Sequence, residues 1–175
     1  MFQYLPCDLN RLRFRRLRRS DIDDFLAYRT DPHVAKYQGW SPMTTPVARA
    51  FLEAHSQHAA LMPGLWQQLG ISDLKSDTLI GDLGLHLWPD SSRVEFGISI
   101  CAKEQGKGFG TECIRGLIPL LFQASPAVEV VAYTDLRNEA CIAALKRSGM
   151  SQVTHRSATH KGEHCTEIGF SLLRK

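Results

Sequence analysis

Seven consecutive residues, Gln105-Gly106-Lys107-Gly108-Phe109-Gly110-Thr111, have the composition of an anion grip. Three glycines at alternate positions let a loop fold tightly and bring bare amides up to a ligand, with no Cβ in the way. After them, Cys113, Ile114, Leu117, Ile118, Leu121 and Phe122 repeat at the spacing of one helix face. The glycines therefore lead into a helix start, where unpartnered N–H groups and the macrodipole favour negative charge. Lys107 adds a mobile positive charge. A phosphate or pyrophosphate is the guest that suits this chemistry. Two familiar phosphate loops do not fit. A Walker A run needs four residues between its first glycine and a Gly-Lys-Ser/Thr ending. A G-x-G-x-x-G fingerprint begun at Gly106 would end on Thr111, and one begun at Gly108 on Cys113.

The elements that must hold this loop are legible on either side. Upstream, Val94, Phe96, Ile98 and Ile100 alternate with Glu95, Gly97 and Ser99, the period of a strand with one buried face. Downstream, Val128 to Thr134 reads as the next strand, and Asn138 caps a helix that runs toward Met150. Pro119 falls inside the helix after the loop and is expected to bend it, although the apolar stripe continues past it. Gln105 to Gly110 fits the pattern Q/R-x-x-G-x-G/A. The run Asn138-Glu139-Ala140-Cys141, with Leu145-Lys146-Arg147-Ser148-Gly149-Met150 after it, is similar to N-x-x-S…L-x-K-x-G-F. Together these segments resemble the GNAT superfamily of N-acetyltransferases, most closely the branch that acetylates ribosomal-protein N-termini at alanine or serine. Arg11 to Leu17, with Asp21 after it, is similar to the first strand of that branch. The likeness spans nearly the whole chain and is best from about Gly81 to Leu172.

The resemblance implies an α/β (α+β) fold, with a central, mostly antiparallel mixed sheet of about seven strands and helices on both faces. It implies direct transfer of acetyl from acetyl-CoA to a primary amine in a ternary complex. Gln105, Gly106, Lys107, Gly108, Phe109, Gly110 and Thr111 would cradle the coenzyme A pyrophosphate. Pantetheine would lie along Phe96, Ile98, Ser99 and Ile100, where a strand N–H polarises the thioester carbonyl. A bulge in this strand is expected to splay it from the next one and open the cleft. Glu95 matches the acidic residue of the superfamily strand. It is expected as general base, its pKa lifted by partial burial, the other readings being an outward-facing strand glutamate or one that only orients the substrate. Leu145 stands where many members carry a thiolate-protonating tyrosine, and Cys141 where the ribosomal-protein branch has serine. Cys141 is then either a proton donor to the leaving thiolate or a small packed residue. Asn138 would meet the pantetheine arm and Lys146 a phosphate. Tyr37, Trp40 and Asp82 are candidate acceptor contacts, with packing as the alternative for the two aromatics. His155, His160, His164 and Cys165 fit no compact zinc spacing, and no metal is expected.

The rest of the chain fills in around this centre. Six arginines lie between Arg11 and Arg19, punctuated by Leu12, Phe14 and Leu17, which reads as a strand with a charged outward face. Ser20 is expected to cap a helix that ends at Asp31-Pro32. His33 to Ser41 reads as loop. Thr45 is expected to cap a second helix, with Pro46 at its first position, that runs to about His58 and buries Val47, Ala50, Phe51 and Ala54. Leu65–Ser72 and Thr78–Leu87 form one expected hairpin, and Gln152–Ser157 and Thr166–Leu172, around Lys161-Gly162, another. At 175 residues the chain is expected to form one domain, residues 1–175, with a sizeable core. Five scattered cysteines without a C-x-x-C pair point to reduced thiols in the cytoplasm. Met1 to Pro6 lacks the character of a signal peptide, and no run suits a membrane span. A net charge of +3 is too small to argue for nucleic acid and is compatible with a polyanionic cofactor. The expected partner is an amine acceptor, either a protein N-terminus or a small molecule such as an aminoglycoside or polyamine, met by a monomer or homodimer. A non-catalytic acyl-CoA-binding module on the same fold is the reading from another class, to which the missing tyrosine lends weight.

Overall fold

The N-terminal alternation builds the edge of a sheet in the computed structural model, which describes residues 5–57 and 60–175. A two-residue strand β1 (Cys7–Asp8) pairs with β2 (Leu12–Arg15), and Leu12 and Phe14 enter the core. The arginines are not simply an outward face. Arg15 is only 3% exposed, and its two Nη groups each donate to Asp21 at 2.8 Å. Arg13 meets Asp8, Arg18 meets Asp77 and Arg19 meets Glu53. A buried guanidinium needs such a fork-to-fork carboxylate, because a lone charge there would cost several kcal/mol, about 3–5.

That pairing also explains why Ser20 does not cap the first helix. Asp21 stands at the N-cap of α1 (Ile22–Arg29), and its carboxylate accepts from the Arg18 N–H at 2.7 Å as well as from Arg15. The helix ends before Pro32 as expected, yet the following residues are not loop. Asp31 accepts from the His33 N–H at 2.8 Å and starts a short helix α2 (Pro32–Ala35), with proline in its first turn. In α3 (Thr45–Ser56) the N-cap is Thr44 rather than Thr45, and the buried face is Ala48 and Leu52, with Phe51 stacked 5.4 Å from Phe25. Val47 is 53% exposed, and Ala50 and Ala54 also face out, so the expected stripe was rotated. With four alanine or valine residues in about two turns, hydrophobicity alone does not select the face. The end expected near His58 lies outside the described residues.

Both expected hairpins form. β3 (Trp66–Asp73) pairs with β4 (Leu79–Leu87), and β7 (Ser151–His160) pairs with β8 (Glu163–Leu173) across Lys161-Gly162, both at positive φ. Between them lie β5 (Arg93–Ile100), helix α4 (Phe109–Ala124), β6 (Glu129–Asp135) and helix α5 (Glu139–Arg147). The sheet order is β1-β2-β3-β4-β5-β6-β8-β7, eight strands where about seven were expected, the additional one being β1. Every neighbouring pair is antiparallel except β5/β6, and α4 makes the crossover that a parallel pair requires. β4 is buried at nearly every position, so both faces of the sheet are covered. The helices that cover it form two pairs, α1 with α3 and α4 with α5. α4 buries Cys113, Ile114, Leu117, Ile118 and Leu121 and runs on through Pro119. All five cysteines are free thiols. Among the described residues no helix is long and apolar enough to cross a membrane.

The consequential irregularity is a fork. β5 and β6 are paired only at Arg93↔Glu129, Val94↔Val130 and Glu95↔Val131. Beyond Glu95, β5 keeps its ladder with β4 as far as Gly81↔Ile100, without the expected register shift, while β6 diverges. Gly81 permits that close pairing, since a Cβ there would lie 2.1 Å from the Ser99 carbonyl oxygen.

Candidate functional site

The fork opens into a cleft of about 940 Å³. Phe96, Ile98 and Ile100 of β5 line one wall, Ala132 and Thr134 of β6 the other, and Cys141, Ala144 and Leu145 of α5 close the apolar end. The β5 edge from Phe96 to Ile100 has no β6 partner there. The Ile98 carbonyl accepts instead from the Gln38 side chain at 3.2 Å, and the Ile100 carbonyl from the Gln105 side chain at 2.8 Å. Gln105 thus ties the glycine loop to the strand end, a physical role for the first residue of the loop pattern.

The loop has the geometry its composition predicts. Gly106 and Gly108 sit at φ +74 and +84, in the left-handed region that side-chain-bearing residues avoid. Gly108 is the N-cap of α4 and offers no side chain to the first-turn amides, which are left for an anion at the mouth of the cleft. Gln105, Gly106, Gly108, Phe109, Gly110 and Thr111 all line the cleft. Lys107 does not, and its ammonium pairs with Glu104 at 3.0 Å. Ser99 is buried behind the lining. Lys146 also stays outside, whereas its neighbour Arg147 lines the cleft and reaches Thr111 Oγ1 from Nε at 3.3 Å. Arg115 lines it too, donating to the Arg147 carbonyl at 2.6 Å, and so does Arg11. These arginines and Gln38 were missed in the sequence. The helix period did carry a signal for one of them, since Ala140, Ala144 and Arg147 share a face. The basic position of L-x-K-x-G-F likewise falls on Arg147 rather than Lys146.

Asn138 caps α5 as read, accepting from the Cys141 N–H at 3.2 Å. Burial pushes the Cys141 thiol up, against the pull of a hydrogen bond with the Thr134 side chain, so the group is protonated at neutral pH. Glu95 stands at the crotch of the fork and is half-buried, outside the cleft lining. Burial lifts its carboxyl above the ordinary glutamate range. Arg156 and His86 pull it back, and Glu167 adds to the rise. The Arg156 guanidinium lies 3.6 Å over the Tyr133 ring and donates to Glu167 at 2.6 Å, while His160 meets the other Glu167 oxygen at 2.7 Å.

Tyr37 lines the cleft; Lys161 of the β7–β8 turn does not, and it donates to the Ala35 carbonyl at 2.6 Å. Trp40 is not in the lining. It packs against Arg29, whose guanidinium is 4.5 Å from the ring centre. Asp82 is 2% exposed and committed to the core, accepting from the Tyr28 hydroxyl at 2.8 Å and from Arg29. It therefore does not face an acceptor. Among the described residues no group of three or more His, Cys, Asp or Glu is placed to hold a metal ion.

The model of a family described as an acetyltransferase (GNAT) domain matches residues 11–151. An uncharacterised N-acetyltransferase of Bacillus licheniformis is 26% identical over 171 residues, covering 94% of each chain. Two solved structures share the fold at lower identity. A spermidine N-acetyltransferase from Vibrio cholerae, in complex with coenzyme A and spermine, superposes with a TM-score of 0.78 at 18% identity, over 93% of this chain and 95% of that one. RimL, a ribosomal-protein alpha-N-acetyltransferase in complex with coenzyme A held as a disulfide to one of its cysteines, gives 0.78 at 12% identity, over 94% of each.

Proposed function

The chain belongs to the GNAT acetyltransferase family, and on that premise we propose that it moves acetyl from acetyl-CoA directly to a primary amine, with a protein N-terminal α-amine as the favoured acceptor. The observation that carries the reading is the fork. A strand edge from Phe96 to Ile100 without a β6 partner runs straight into a left-handed glycine loop at a helix start. Pantetheine has amides to pair with such an edge, and the pyrophosphate meets the amides of Phe109, Gly110 and Thr111 where the macrodipole is positive. A β5 N–H then polarises the thioester carbonyl.

The amine enters on the Glu95 side. Glu95, just outside the lining, takes the proton through water as the nitrogen attacks, and the carbon–sulfur bond breaks. The Cys141 thiol, held protonated by burial, returns a proton to the departing thiolate. Holding the two reactants together supplies much of the remaining acceleration.

What supports the α-amine reading is which carboxylates are already spoken for. Glu167 is taken by Arg156 and His160, Asp135 by Arg137, and Asp82 by Arg29. A polyamine or aminoglycoside spreads several positive charges and needs several open carboxylates. A single α-amine needs one, and Glu95 serves it. Free-thiol release from acetyl-CoA, measured with peptides bearing free N-termini, spermidine and an aminoglycoside, tests the reading. Release with peptides is expected. Release with the polycations alone would reverse the acceptor assignment, and binding of acetyl-CoA without release for any amine would favour a non-catalytic acyl-CoA-binding module.

A further inference from the structure

We propose that Arg11, from the N-terminal part of the chain, completes the pyrophosphate cradle: it offers a donor to the cofactor's phosphates and cancels the charge of Glu112 beside them. The inference rests on the coenzyme A reading above. Glu112 lies in the first turn of α4, the turn whose amides face the anion. A carboxylate there suits the helix dipole but repels a pyrophosphate, so left alone it would work against the site.

Arg11 removes the conflict. Its backbone N–H donates to Glu112 Oε1 and its Nε to Oε2, both at 2.7 Å, so one residue occupies both carboxylate oxygens. Its Nη1 donates to the Lys107 carbonyl at 3.1 Å, tying the guanidinium to the glycine loop. The guanidinium lies 4.3 Å from the Phe109 ring centre, which fixes its plane. Nη2 has no hydrogen-bond partner among the described residues, and it sits 3.7 Å from where a Cβ on Gly108 would stand, at the apex of the loop. Arg11, Gly108, Phe109 and Glu112 all line the cleft. A guanidinium pinned on one side with a free N–H on the other is a prearranged phosphate ligand. It also differs in origin from the loop, since Arg11 is some hundred residues away and no local pattern links the two.

The test is calorimetry of coenzyme A and 3′-dephospho-coenzyme A with the unaltered protein, R11A, E112Q and R11A/E112Q, with a thermal melt of each. R11A is expected to weaken both ligands by about tenfold, the cost of a lost charge-assisted contact plus an uncovered carboxylate. E112Q keeps Arg11 and sheds the opposing charge, so it is expected to bind at least as tightly as the unaltered protein. The double variant should recover part of the R11A loss. A brace without a cofactor role would make E112Q as weak as R11A, or leave R11A binding unchanged with only a lower melting temperature. Either result overturns the inference. If R11A melts below the working temperature, the E112Q comparison alone decides. Failure of the unaltered protein to bind either ligand would overturn the coenzyme A reading itself, a result distinct from both.

Discussion

Gly108→Ala and Gly110→Ala differ by one methyl each, two positions apart, and the structure assigns them opposite consequences. Gly108 sits at φ +84, and an added Cβ would meet nothing closer than Arg11 Nη2 at 3.7 Å. Space is therefore not the obstacle. An L-residue held in the left-handed region costs about 1–2 kcal/mol, whatever surrounds it. If the loop keeps its shape, stability falls by that amount, and the melting temperature by about 2–8 °C for a chain of this size. If the loop relaxes instead, the first-turn amides swing off line and coenzyme A affinity drops by a comparable free energy, roughly 5- to 30-fold. Gly110 lies inside α4 without a positive φ, and its Cβ would make an ordinary contact with Ala144 Cβ at 3.8 Å. Replacing glycine by alanine in a helix is favourable by up to about 1 kcal/mol. Gly110→Ala should thus melt no lower than the unaltered protein and bind coenzyme A within about twofold of it, as a helix-neutral change should. Thermal melts with and without coenzyme A, and calorimetry at one salt concentration, measure both. A Gly110→Ala loss equal to that of Gly108→Ala would refute the conformational argument, because close backbone approach, not the sign of φ, would then govern the loop.

Further outcomes concern charge and chemistry. The Glu95 carboxyl is raised by burial, so the unaltered enzyme should gain rate as pH rises through that raised value, and Glu95→Gln should be slower and lack the step; a retained step would remove Glu95 as base. A raised carboxyl means the folded state holds its proton more tightly than the unfolded one, so this group destabilises the fold once ionised. Glu95→Gln should then melt higher than the parent at neutral pH, with the difference vanishing in acid below the ordinary glutamate range. Cys141→Ser should keep turnover and Cys141→Ala lower it, whereas equal single-turnover rates for both would make the thiol a packing group. Asp21→Asn leaves the 3%-exposed Arg15 guanidinium with Asp77, 3.1 Å from its Nε, as its remaining carboxylate and should cost about 1.5–3 kcal/mol in urea denaturation. A loss under 1 kcal/mol would mean Asp77 compensates.

What was legible in the sequence was local and periodic. The strand from Val94, the loop from Gln105 to Thr111, the α4 stripe and the Lys161-Gly162 hairpin each declare themselves within a dozen residues, through period two, period 3.6 or a φ that favours glycine. Features settled by partners far along the chain were not legible. Ser20 lost the cap position because Arg15 needed Asp21. Asp82 read as an open carboxylate because nothing beside it in sequence announces Arg29 and Tyr28. Phe51 lies on both the expected and the observed α3 face, and which flank goes inward with it, Ala50 and Ala54 or Ala48 and Leu52, is decided by the sheet beneath. Arg147 was legible in principle, since helix phase and the basic position of L-x-K-x-G-F both fall on it rather than on Lys146.

The fork also bears on how the molecule holds together. Strands β1 to β5 meet strands β6 to β8 through only three residue pairs in the sheet, with the Arg93–Glu129 ion pair at the closed end. A thioester arm laid along Phe96 to Ile100 would serve as a surrogate strand, lengthening a seam the polypeptide leaves short. Occupancy would then slow amide exchange on both sides of that seam together, so the acyl donor would act as a rivet between two halves of the sheet as well as a reactant.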